Sequence, residues 1–455
     1  MNSDSNYDYL KITKYSKLEN WSFKYLNKNN INFNSEYNMM QIGQILKRNK
    51  TPIYINDNEI YKRVTIKTKN GGIFLRDNIS GENIGTKKQF IIKSGQFLLS
   101  KIDARNGAFG VVPKEVDGAI ITGNFWAYDV DDKIIEPHFL SLLTTTKEFI
   151  NYCNTCSRGT TGRHYLQEDL FLSTPIPIPS LSTQKRLVNE YNEKIKKAET
   201  LNKSAIKDRK KIDDVIFKVL GVRIHNKSKK SKGLSFVNYK NINRWGVEIL
   251  LNNLELDKML LSNKYKCIRL SEVVDINPMT SFDNVKDDDI ISYMPMECIS
   301  DYSGEIIMQY KGYKNKAKGY TKFKEGDLLW AKITPCMENG KSAIAKGLYN
   351  GYGYGSTEYH VIRKKDISIN IRYIYYILRT KFVREQAKVY FTGSAGQQRV
   401  PDSFLKDLVI PIPELKYQDK IVKVLDKLKK RSIDKSNDSI KHRKLAIDNF
   451  EKKLF

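Results

Sequence analysis

A long internal repeat constrains the fold of this chain more than any other feature of its sequence. The segment that begins at Gly95, GQFLLSKIDARNGAFGVV, returns at Gly326 as GDLLWAKITPCMENGKSAIA. A second segment, SRGTTGRHYL before PIPIP, begins at Ser157 and returns at Phe391 as FTGSAGQQRV before VIPIP, at nearly the same spacing. A spacing of about 230 residues is far longer than the roughly 20–50 residues of a solenoid or propeller unit. The sequence therefore predicts two copies of one whole domain, each with a following segment.

The pattern within each copy is typical of an α+β domain. Short β-branched and aromatic runs broken by Gly, Asn and Asp, such as FIIKSGQFLLSKI and GYTKFKEGDLLWAKI, predict strands and hairpins. The periodicity becomes helical over residues 137–152 and again over 371–389. The proline-rich segments PIPIP and VIPIP then act as stops, because Pro lacks an amide hydrogen and disfavours helix before it. The expected fold class is α+β, with two tandem, pseudo-symmetric domains of mixed helix and strand.

A long helix is expected after each proline-rich segment. The stretch from Gln184 to Leu220 contains neither Pro nor Gly, and a heptad count from Val188 places apolar or aromatic residues at most a and d positions, Val219 included. The matched seam in the second half is apolar at its ends and polar at its centre. Such a helix spans about 55 Å and suits a spacer. The residues expected to pair the two helices are Val188, Tyr191, Ile195, Ala198, Ile212, Ile216, Val422, Leu425, Ala446 and Phe450.

These features divide the chain into five segments. The first domain is expected over residues 1–179 and its helix over 180–222. Residues 223–242 contain the run HNKSKKSKG and read as a basic, solvated linker. The second domain is expected over 243–413, and the second helix over 414–455.

The charge of the chain favours a polyanionic partner. Lys and Arg total 78 against 51 Asp and Glu, giving a formal net charge of +27 spread over both halves. With 27 Tyr and 19 Phe beside this charge, nucleic acid is favoured over a membrane surface, since no amphipathic anchor stands apart. The absence of an apolar signal core or span predicts a cytoplasmic protein. Five scattered Cys fit a reducing compartment.

The sequence carries no motif that indicates catalysis. There is no GxxxxGK[ST] loop, no dinucleotide fingerprint, no HExxH and no Asn or Asp followed by Pro-Pro and an aromatic residue. Cys153 and Cys156 form a lone CxxC pair, whereas a structural zinc site normally needs four ligands. No metal site or cofactor is therefore expected in this chain, which reads as a protein that recognises rather than one that catalyses.

The repeated polar loops supply the candidate DNA-binding residues. Arg reads guanine and Gln or Asn reads adenine through paired hydrogen bonds, while Lys, Ser and Thr mostly contact phosphate. The alternative is that these segments are only strand ends and glycine turns of the fold. His164 stands opposite Gln398 in the repeat, which predicts that the two halves read different sequences. The candidates are Lys101, Arg105, Asn106, Arg158, Thr160, Arg163, His164 and Tyr165 in the first half and Lys332, Asn339, Lys341, Ser394, Gln397, Gln398 and Arg399 in the second.

At these residues the chain resembles the specificity (S) subunits of bacterial type I restriction-modification systems. The resemblance runs from Trp21 to Phe455 and is carried by SKIDARNGAFG, by GDLLWAKITPCMENGKSAIA with GSTEYHVIR, and by the proline-rich segments that open helices at Gln184 and Gln418. It implies two target recognition domains that each read half of a split double-stranded DNA site. It also implies an antiparallel coiled coil of the two helices, which sets the gap between the half-sites.

The resemblance further implies partner subunits. Two modification subunits would carry S-adenosylmethionine and methylate adenine, and motor-nuclease subunits would use ATP and Mg²⁺ in restriction and phage defence. One alternative is the specificity partner of a fused type II methyltransferase-nuclease. Another is a stand-alone DNA-binding or scaffold protein.

Overall fold

The computed structural model describes residues 31–68, 71–158, 164–222, 258–283, 285–394 and 396–455. Trp21, Thr160, Arg163 and the basic linker predicted over 223–242 lie outside the described residues. The chain divides into two compact units. Unit 1 comprises the described residues up to Glu199 together with Ser439–Phe455, and unit 2 comprises those within Thr200–Asp438. No helix among the described residues is both long and apolar enough to cross a bilayer.

Unit 1 is built from short strands and short helices that precede one long helix. Its strands are β1 (Met39–Gln41), β2 (Leu46–Asn49), β3 (Pro52–Tyr54), β4 (Ile60–Lys67), β5 (Gly72–Ser80), β6 (Lys88–Ile91), β7 (Phe97–Ser100), β8 (Phe109–Val111), β9 (Ile120–Ile121), β10 (Phe125–Val130), β11 (Ser157–Arg158), β12 (Tyr165–Leu166) and β13 (Pro175–Pro177). Its helices are α1 (Ile42–Ile45), α2 (Pro137–Thr144), α3 (Lys147–Thr155), α4 (Glu168–Leu172) and the beginning of α5 (Leu181–Leu220).

Unit 2 follows a similar order of elements, with ten strands among its described residues against thirteen in unit 1. Its strands are β14 (Cys267–Arg269), β15 (Val274–Ile276), β16 (Ile290–Met294), β17 (Tyr310–Tyr313), β18 (Thr321–Lys324), β19 (Leu328–Ala331), β20 (Ser342–Ile344), β21 (Tyr352–Gly355), β22 (Tyr359–Lys364) and β23 (Val409–Pro411). Its helices are α6 (Leu270–Val273), α7 (Ile371–Arg379), α8 (Lys381–Val389), α9 (Asp402–Asp407) and the beginning of α10 (Leu415–Leu454).

Each unit contains its own four-stranded antiparallel sheet, here called the core sheet, and the two sheets have the same topology. Its strand order is β2-β10-β7-β8 in unit 1 and β15-β22-β19-β20 in unit 2. Buried aromatic side chains pack against it in unit 1, among them Phe97, Phe109 and Phe149. In unit 2 the buried Trp330 of β19 belongs to the equivalent cluster. The repeat in the sequence therefore corresponds to a repeated core.

A second sheet in each unit differs between the copies. In unit 1 it has the order β3-β6-β9-β4-β5, and β4 and β5 form a long hairpin with a bulge. In unit 2 the order is β17-β16-β21-β18, and its central pair β16 and β21 is parallel. The second sheet is thus where the two copies diverge.

Two local predictions from the sequence are corrected by the structure. The helical stretches at 137–152 and 371–389 are each two helices, because Thr146 and Thr380 accept hydrogen bonds from the amides of Phe149 and Val383 and start a new helix. The proline-rich segments are more than stops. They form strands β13 and β23, which pair antiparallel with β1 and β14 and so close each unit.

The long helices run antiparallel within each unit. In unit 1, Val188 near the start of α5 lies in the same buried cluster as Phe450 near the end of α10. In unit 2, Ile216 near the end of α5 shares a cluster with Val422 and Leu425 near the start of α10. Ala198 and Ala446 are buried, whereas Tyr191, Ile195 and Ile212 are partly buried.

The heptad count fails at the last turn of each helix. Val219 is exposed, and Phe217 and Leu220 are buried in its place. Lys453, the residue that matches Val219 in the second helix, is likewise exposed, whereas Leu454 is buried. A straight helix has 3.6 residues per turn, so its buried face drifts away from a 3.5-residue repeat along its length.

The polar centre of the predicted seam is also packed. Ser439 of α10 is buried and donates a hydrogen bond of 2.7 Å to the Ala198 carbonyl in unit 1. In unit 2, the buried Ser432 donates to the Ala205 carbonyl at 2.9 Å. A serine facing an alanine lets two helices approach closely while the hydroxyl is still satisfied.

Candidate nucleic-acid interface

The two polar loops of unit 1 meet in the structure. Strands β11 and β12 form a short hairpin that carries Arg158 and Tyr165. The amide of Leu166 donates to the Lys101 carbonyl at 2.8 Å, which joins this hairpin to the end of β7. The Lys101 ammonium lies 5.2 Å from the centre of the Tyr165 ring. Segments that are distant in sequence therefore present a basic group and an aromatic ring together.

The same contact recurs in unit 2. The amide of Val400 donates to the Lys332 carbonyl at 2.9 Å, and the amide of Thr334 donates to the Gln398 carbonyl at 3.0 Å. In the internal repeat, Val400 and Lys332 occupy the positions of Leu166 and Lys101. Each unit thus brings its two polar loops together through main-chain atoms.

The candidates in unit 1 differ in their accessibility. Asn106 and Arg158 are exposed, although the Asn106 amide also bonds to the Asp103 carboxylate at 3.2 Å. Arg105 is partly buried on a short 3₁₀ turn formed by Ala104–Asn106. His164 and Tyr165 are partly buried at the described edge of the hairpin loop. Of the candidates that the structure describes in unit 1, Asn106 and Arg158 are therefore those that a ligand reaches most directly.

In unit 2, three of the candidates are open to solvent. Ser394 and Gln397 are exposed in the loop before Val400, and Asn339 is exposed in the turn after β19. Lys332 and Gln398 are partly buried. The exposed polar side chains have the donor and acceptor atoms needed for contacts to bases or phosphates.

Two other candidates in unit 2 are already engaged within the unit. Lys341 donates to the Met296 carbonyl at 2.9 Å. Arg399 forms a forked pair with Glu358 at 2.8–3.1 Å, and this hydrogen bonding raises the pKa of Arg399. Because a guanidinium paired with a carboxylate must lose that partner before it can fork onto a guanine, the geometry favours a positioning role for Arg399.

A buried histidine supports the loop from below. His360 of β22 bonds the Val400 carbonyl through Nε2 at 2.9 Å, and its Nδ1 lies 3.0 Å from the amide nitrogen of Asn277. Burial lowers the pKa of His360 to about 4, so the ring is neutral at physiological pH. The ring also stacks on Trp330, with centroids 6.2 Å apart. His360 therefore holds Val400, and with it the loop, beside Lys332.

The structure adds a basic and aromatic surface that the sequence interpretation missed. The segment 310–324, YKGYKNKAKGYTKFK, holds six lysines and no acidic residue, and it forms β17 and β18 of the second sheet. Its tyrosines Tyr310, Tyr313 and Tyr320 are each more than 40% exposed. Lysines interleaved with exposed tyrosines are typical of protein surfaces that bind nucleic acid. The run of six lysines without an acidic residue is the sequence signal that could have identified this surface.

The CxxC pair does not have the features of a reactive or metal-binding site. Cys153 and Cys156 are both buried, and burial raises the pKa of the Cys153 thiol well above its ordinary value. A thiol held in its neutral form is a poor nucleophile and a poor metal ligand. Among the described residues, no group of three or more His, Cys, Asp or Glu side chains is placed to hold a metal ion.

Comparison with known protein families identifies the family to which this architecture belongs. The family model described as "Type I restriction modification DNA specificity domain" matches residues 34–207 and 262–442, more than half of the chain. The chain belongs to this family. Each match covers one copy of the internal repeat, so the chain holds two DNA specificity domains of type I restriction-modification systems.

Curated members of the family resemble part of the chain. The specificity subunit of the type I restriction enzyme EcoEI from Escherichia coli is 40% identical over 169 residues, and that of EcoAI from the same organism is 39% identical over 163 residues. These alignments cover 37% and 36% of this chain. They span only 28% and 27% of the length of those relatives.

A solved structure shares the fold over nearly the full length. It comes from work on "complex assembly and conformational transition of the type I R-M system" and has a TM-score of 0.57 at 16% identity. The match covers 93% of this chain and 98% of that one. The family match and this likeness confirm the expected α+β fold with two repeated domains and two long helices.

Proposed function

We propose that the chain is the DNA-recognition subunit of a type I restriction-modification complex, and that each of its two specificity domains reads one half of a split target. The observation that carries the proposal is the duplicated loop contact, Leu166 to Lys101 and Val400 to Lys332. The fold repeats one contact between polar loops, and the loops carry different side chains in each copy. This arrangement suits a target whose two half-sites have different base sequences. The net charge of +27 supports affinity for duplex DNA.

The division of labour within each domain follows from the chemistry of the side chains. Lys101 and Lys332, with the lysines of segment 310–324, are proposed to neutralise phosphates. Asn106, Arg158, Asn339, Ser394 and Gln397 are proposed to reach base edges or phosphates, because they are exposed around the loop contacts. His164 and Tyr165 are proposed to contribute from the edge of the hairpin in unit 1. Thr160 and Arg163 are proposed as further DNA contacts on the sequence pattern alone. Lys341, Gln398 and Arg399 are proposed to shape the loop in unit 2.

The long helices are proposed to act as the spacer and as the docking surface for two modification subunits. Apolar side chains stand exposed on α10 in unit 1, where Ile440 is 63% and Ile447 is 46% exposed. In unit 2, Ile206 of α5 and Val424 of α10 are 45% and 51% exposed. Large apolar side chains on otherwise polar helices are typical of surfaces that another protein covers.

The chain itself is proposed to be non-catalytic and to act in the cytoplasm without a cofactor of its own. By this proposal the modification subunits carry S-adenosylmethionine and methylate adenine at N6. Motor-nuclease subunits carry ATP and Mg²⁺. The recognised sequence then depends on this chain, while the chemistry depends on its partners.

The test is co-expression with the neighbouring methyltransferase, followed by single-molecule sequencing for N6-methyladenine. We expect a split motif with one methylated adenine in each half, and loss of that motif when this chain is deleted. Methylation that is unchanged by the deletion would contradict the proposal and favour a stand-alone DNA-binding protein. A partner with a fused nuclease and methyltransferase would instead assign the chain to a type II system.

A further inference from the structure

A cationic cavity in unit 2 is not explained by DNA recognition through the polar loops. The cavity measures about 290 Å³ and lies between α5, α7, α8 and α10, beside the segment around Tyr302. Six basic side chains and one carboxylate line it. The basic residues are Arg209, Lys210, Arg379, Lys381, Arg384 and Lys429, and the acid is Asp213.

The three arginines bond to backbone carbonyls rather than to carboxylates. Arg209 donates to the Asp301 carbonyl at 3.2 Å, and Arg379 donates to the same oxygen at 3.0 Å and to the Gly340 carbonyl at 2.6 Å. Arg384 donates to the carbonyls of Glu338 and Arg379. A carbonyl satisfies an N–H group but leaves the positive charge without a counter-charge.

Among the described residues, the arginine ion pairs of unit 2 lie elsewhere. They are made by Arg363, Arg372, Arg399 and Arg431. Within the cavity wall, Lys429 pairs with Glu305 at 2.9 Å, and Asp213 accepts from the Lys381 amide at 2.8 Å. These two carboxylates leave a large excess of positive charge. Burial, together with the neighbouring Arg379, lowers the pKa of both Arg209 and Arg384.

Aromatic rings complete the walls. The Arg209 guanidinium lies 4.9 Å from the Tyr302 ring centre, and Arg379 lies 5.5 Å from that of Tyr375. Lys429 donates to the Tyr375 hydroxyl at 3.2 Å. Packed rings fix the direction of the cations, so the site is ordered before any ligand binds.

The equivalent place in unit 1 carries a smaller positive charge. A cavity of about 610 Å³ lies there, beside α2, α3 and α10. Thr145 and Ile150 line it at the repeat positions that Arg379 and Arg384 occupy in unit 2. Ile447 lines it where unit 2 has Asp213. The unit 1 cavity is lined by two basic residues, Arg105 and Lys147, and by the acidic Glu451. The fold therefore does not require arginines at the positions of Arg379 and Arg384, and the larger positive charge in unit 2 calls for a separate explanation.

We propose that the cavity of unit 2 binds a phosphate group, held by Arg209, Arg379, Arg384 and Lys429. Arginine forks match the geometry of phosphate oxygens, and a dianion would relieve the mutual repulsion of the cations. The volume admits a phosphate with a small substituent. The inference does not depend on the proposed function, because the binding of phosphate in this cavity is measured without DNA and without the modification subunits.

The first experiment titrates the full-length protein with inorganic phosphate. Binding is measured by calorimetry at constant ionic strength, with chloride as the replaced anion. The result expected is one saturable site per chain. Arg384→Gln and Arg209→Gln each remove one charge from a different wall and should raise the Kd by about 10- to 100-fold, the change that corresponds to one charge-assisted hydrogen bond. Arg372→Gln removes a charge on α7 that pairs with Asp426 and does not line the cavity, so it should leave the Kd unchanged.

Two results would overturn the proposal. One is the absence of saturable binding to the wild-type chain. The other is binding that is equal in the wild type and in both cavity variants, with each variant shown by its melting temperature to be folded. The arginines would then serve only to tether the segments that carry Asp301 and Gly340. Loss of co-purification with the modification subunit in Arg384→Gln, without phosphate binding by the wild type, would also overturn it and indicate an acidic side chain of that partner.

A competition experiment distinguishes the source of the phosphate. A short duplex that displaces inorganic phosphate in proportion to its own binding would assign the site to the DNA backbone. Simultaneous binding of duplex and phosphate would assign it to a phosphorylated small molecule. Failure of the proposed function would appear separately, as a methylation pattern that does not depend on this chain.

Discussion

The side-chain amide of Gln184 donates a hydrogen bond of 2.8 Å to the carbonyl of Pro179, and so ties the first turn of α5 to the end of the proline-rich segment. The same amide donates to the Ile134 carbonyl at 3.0 Å, and its oxygen accepts from the Glu136 amide at 2.8 Å. Gln418 repeats all three bonds at the equivalent place in the second half, with Pro413, Ser368 and Asn370. Both glutamines are fully buried.

Removing either glutamine should loosen the join between a domain and its helix. We expect Gln184→Ala or Gln418→Ala to lower the free energy of unfolding by about 1–3 kcal/mol, because buried backbone groups lose their partners. Urea denaturation monitored by circular dichroism measures the change. Gln397→Ala, at an exposed glutamine, is the control and should change stability by less than about 0.5 kcal/mol. Equal effects at all three positions would contradict the assignment.

The pair between Asp208 and Arg431 predicts a dependence of stability on pH. Asp208 is 3% exposed, and hydrogen bonds from Arg431 and Lys435 hold its pKa well below the usual range. A carboxylate with a lowered folded-state pKa stabilises the fold at neutral pH, and this contribution falls once the pH drops below about 5. We expect Asp208→Asn to remove that part of the acid sensitivity.

The measurement is the urea midpoint of the wild type and of the variant between pH 3 and pH 7. The difference between them should shrink as the pH falls. The control is Asp438→Asn, at an exposed carboxylate on α10, the helix that carries Arg431; this variant should change the midpoint little at any pH in this range. A constant difference for Asp208→Asn as well would mean that the pair does not titrate as described.

The serine at the helix seam is expected to resist enlargement. Ser439 is 4% exposed and faces Ala198, so Ser439→Leu should force the two helices apart in unit 1 and cost about 1–3 kcal/mol. Ser439→Ala should cost about 1 kcal/mol through the lost hydrogen bond. Thermal unfolding checks both variants. Asn437→Leu, at a position two residues earlier and off the seam, should be nearly neutral; if it is as harmful as Ser439→Leu, the tight seam is not the cause.

Changes in the loop of unit 2 should alter only one half of the recognised site. Ser394→Ala combined with Gln397→Ala removes exposed polar groups and should cost about 1–3 kcal/mol of discrimination at the bases they contact. Lys101→Gln should instead weaken binding to every duplex and reduce the salt slope by about one. For the double variant, the methylated motif is determined by sequencing DNA that the assembled complex has methylated. For Lys101→Gln, the dependence of DNA affinity on salt is determined from binding at several salt concentrations. A motif changed in both halves by the double variant would contradict separate readout.

The spacer proposal predicts that helix length sets the gap between half-sites. One heptad inserted into α5 beyond Gln184, with a matched heptad in α10 beyond Gln418, adds about 10 Å to each helix. The tolerated gap should therefore grow by about three base pairs of 3.4 Å each. Insertion in one helix alone is the control, and should abolish recognition because the two seams lose register. An unchanged gap with the double insertion would rule out the spacer role.

The features that depend on repetition and periodicity could be predicted from the sequence. The return of the Gly95 segment at Gly326 predicted two equivalent domains, and the heptad positions of Val188, Ala198 and Leu425 predicted a buried helix seam. The polar loops chosen from the sequence also lie side by side in the structure, since the Leu166 amide donates to the Lys101 carbonyl. That these side chains touch DNA stays a prediction.

The features that the sequence did not reveal depend on three-dimensional partners. Ser432 and Ser439 look unsuited to a seam until the carbonyls of Ala205 and Ala198 are seen to accept their hydroxyls. The prolines of β13 look like breaks in structure, because their pairing partner Met39–Gln41 lies at the opposite end of the domain sequence. Arg399 resembles a base-reading residue in sequence, yet it faces Glu358 within the unit.

The bonds that join the polar loops, from Leu166 to Lys101 and from Val400 to Lys332, involve only main-chain atoms. An amide and a carbonyl are present at these positions whichever side chains the residues carry, proline at the donor excepted. Substitution at the tips of the loops therefore leaves the joint intact. Such a scaffold can acquire new preferences by point mutation in one copy while the other copy stays as it was, so that evolution can explore targets one half at a time.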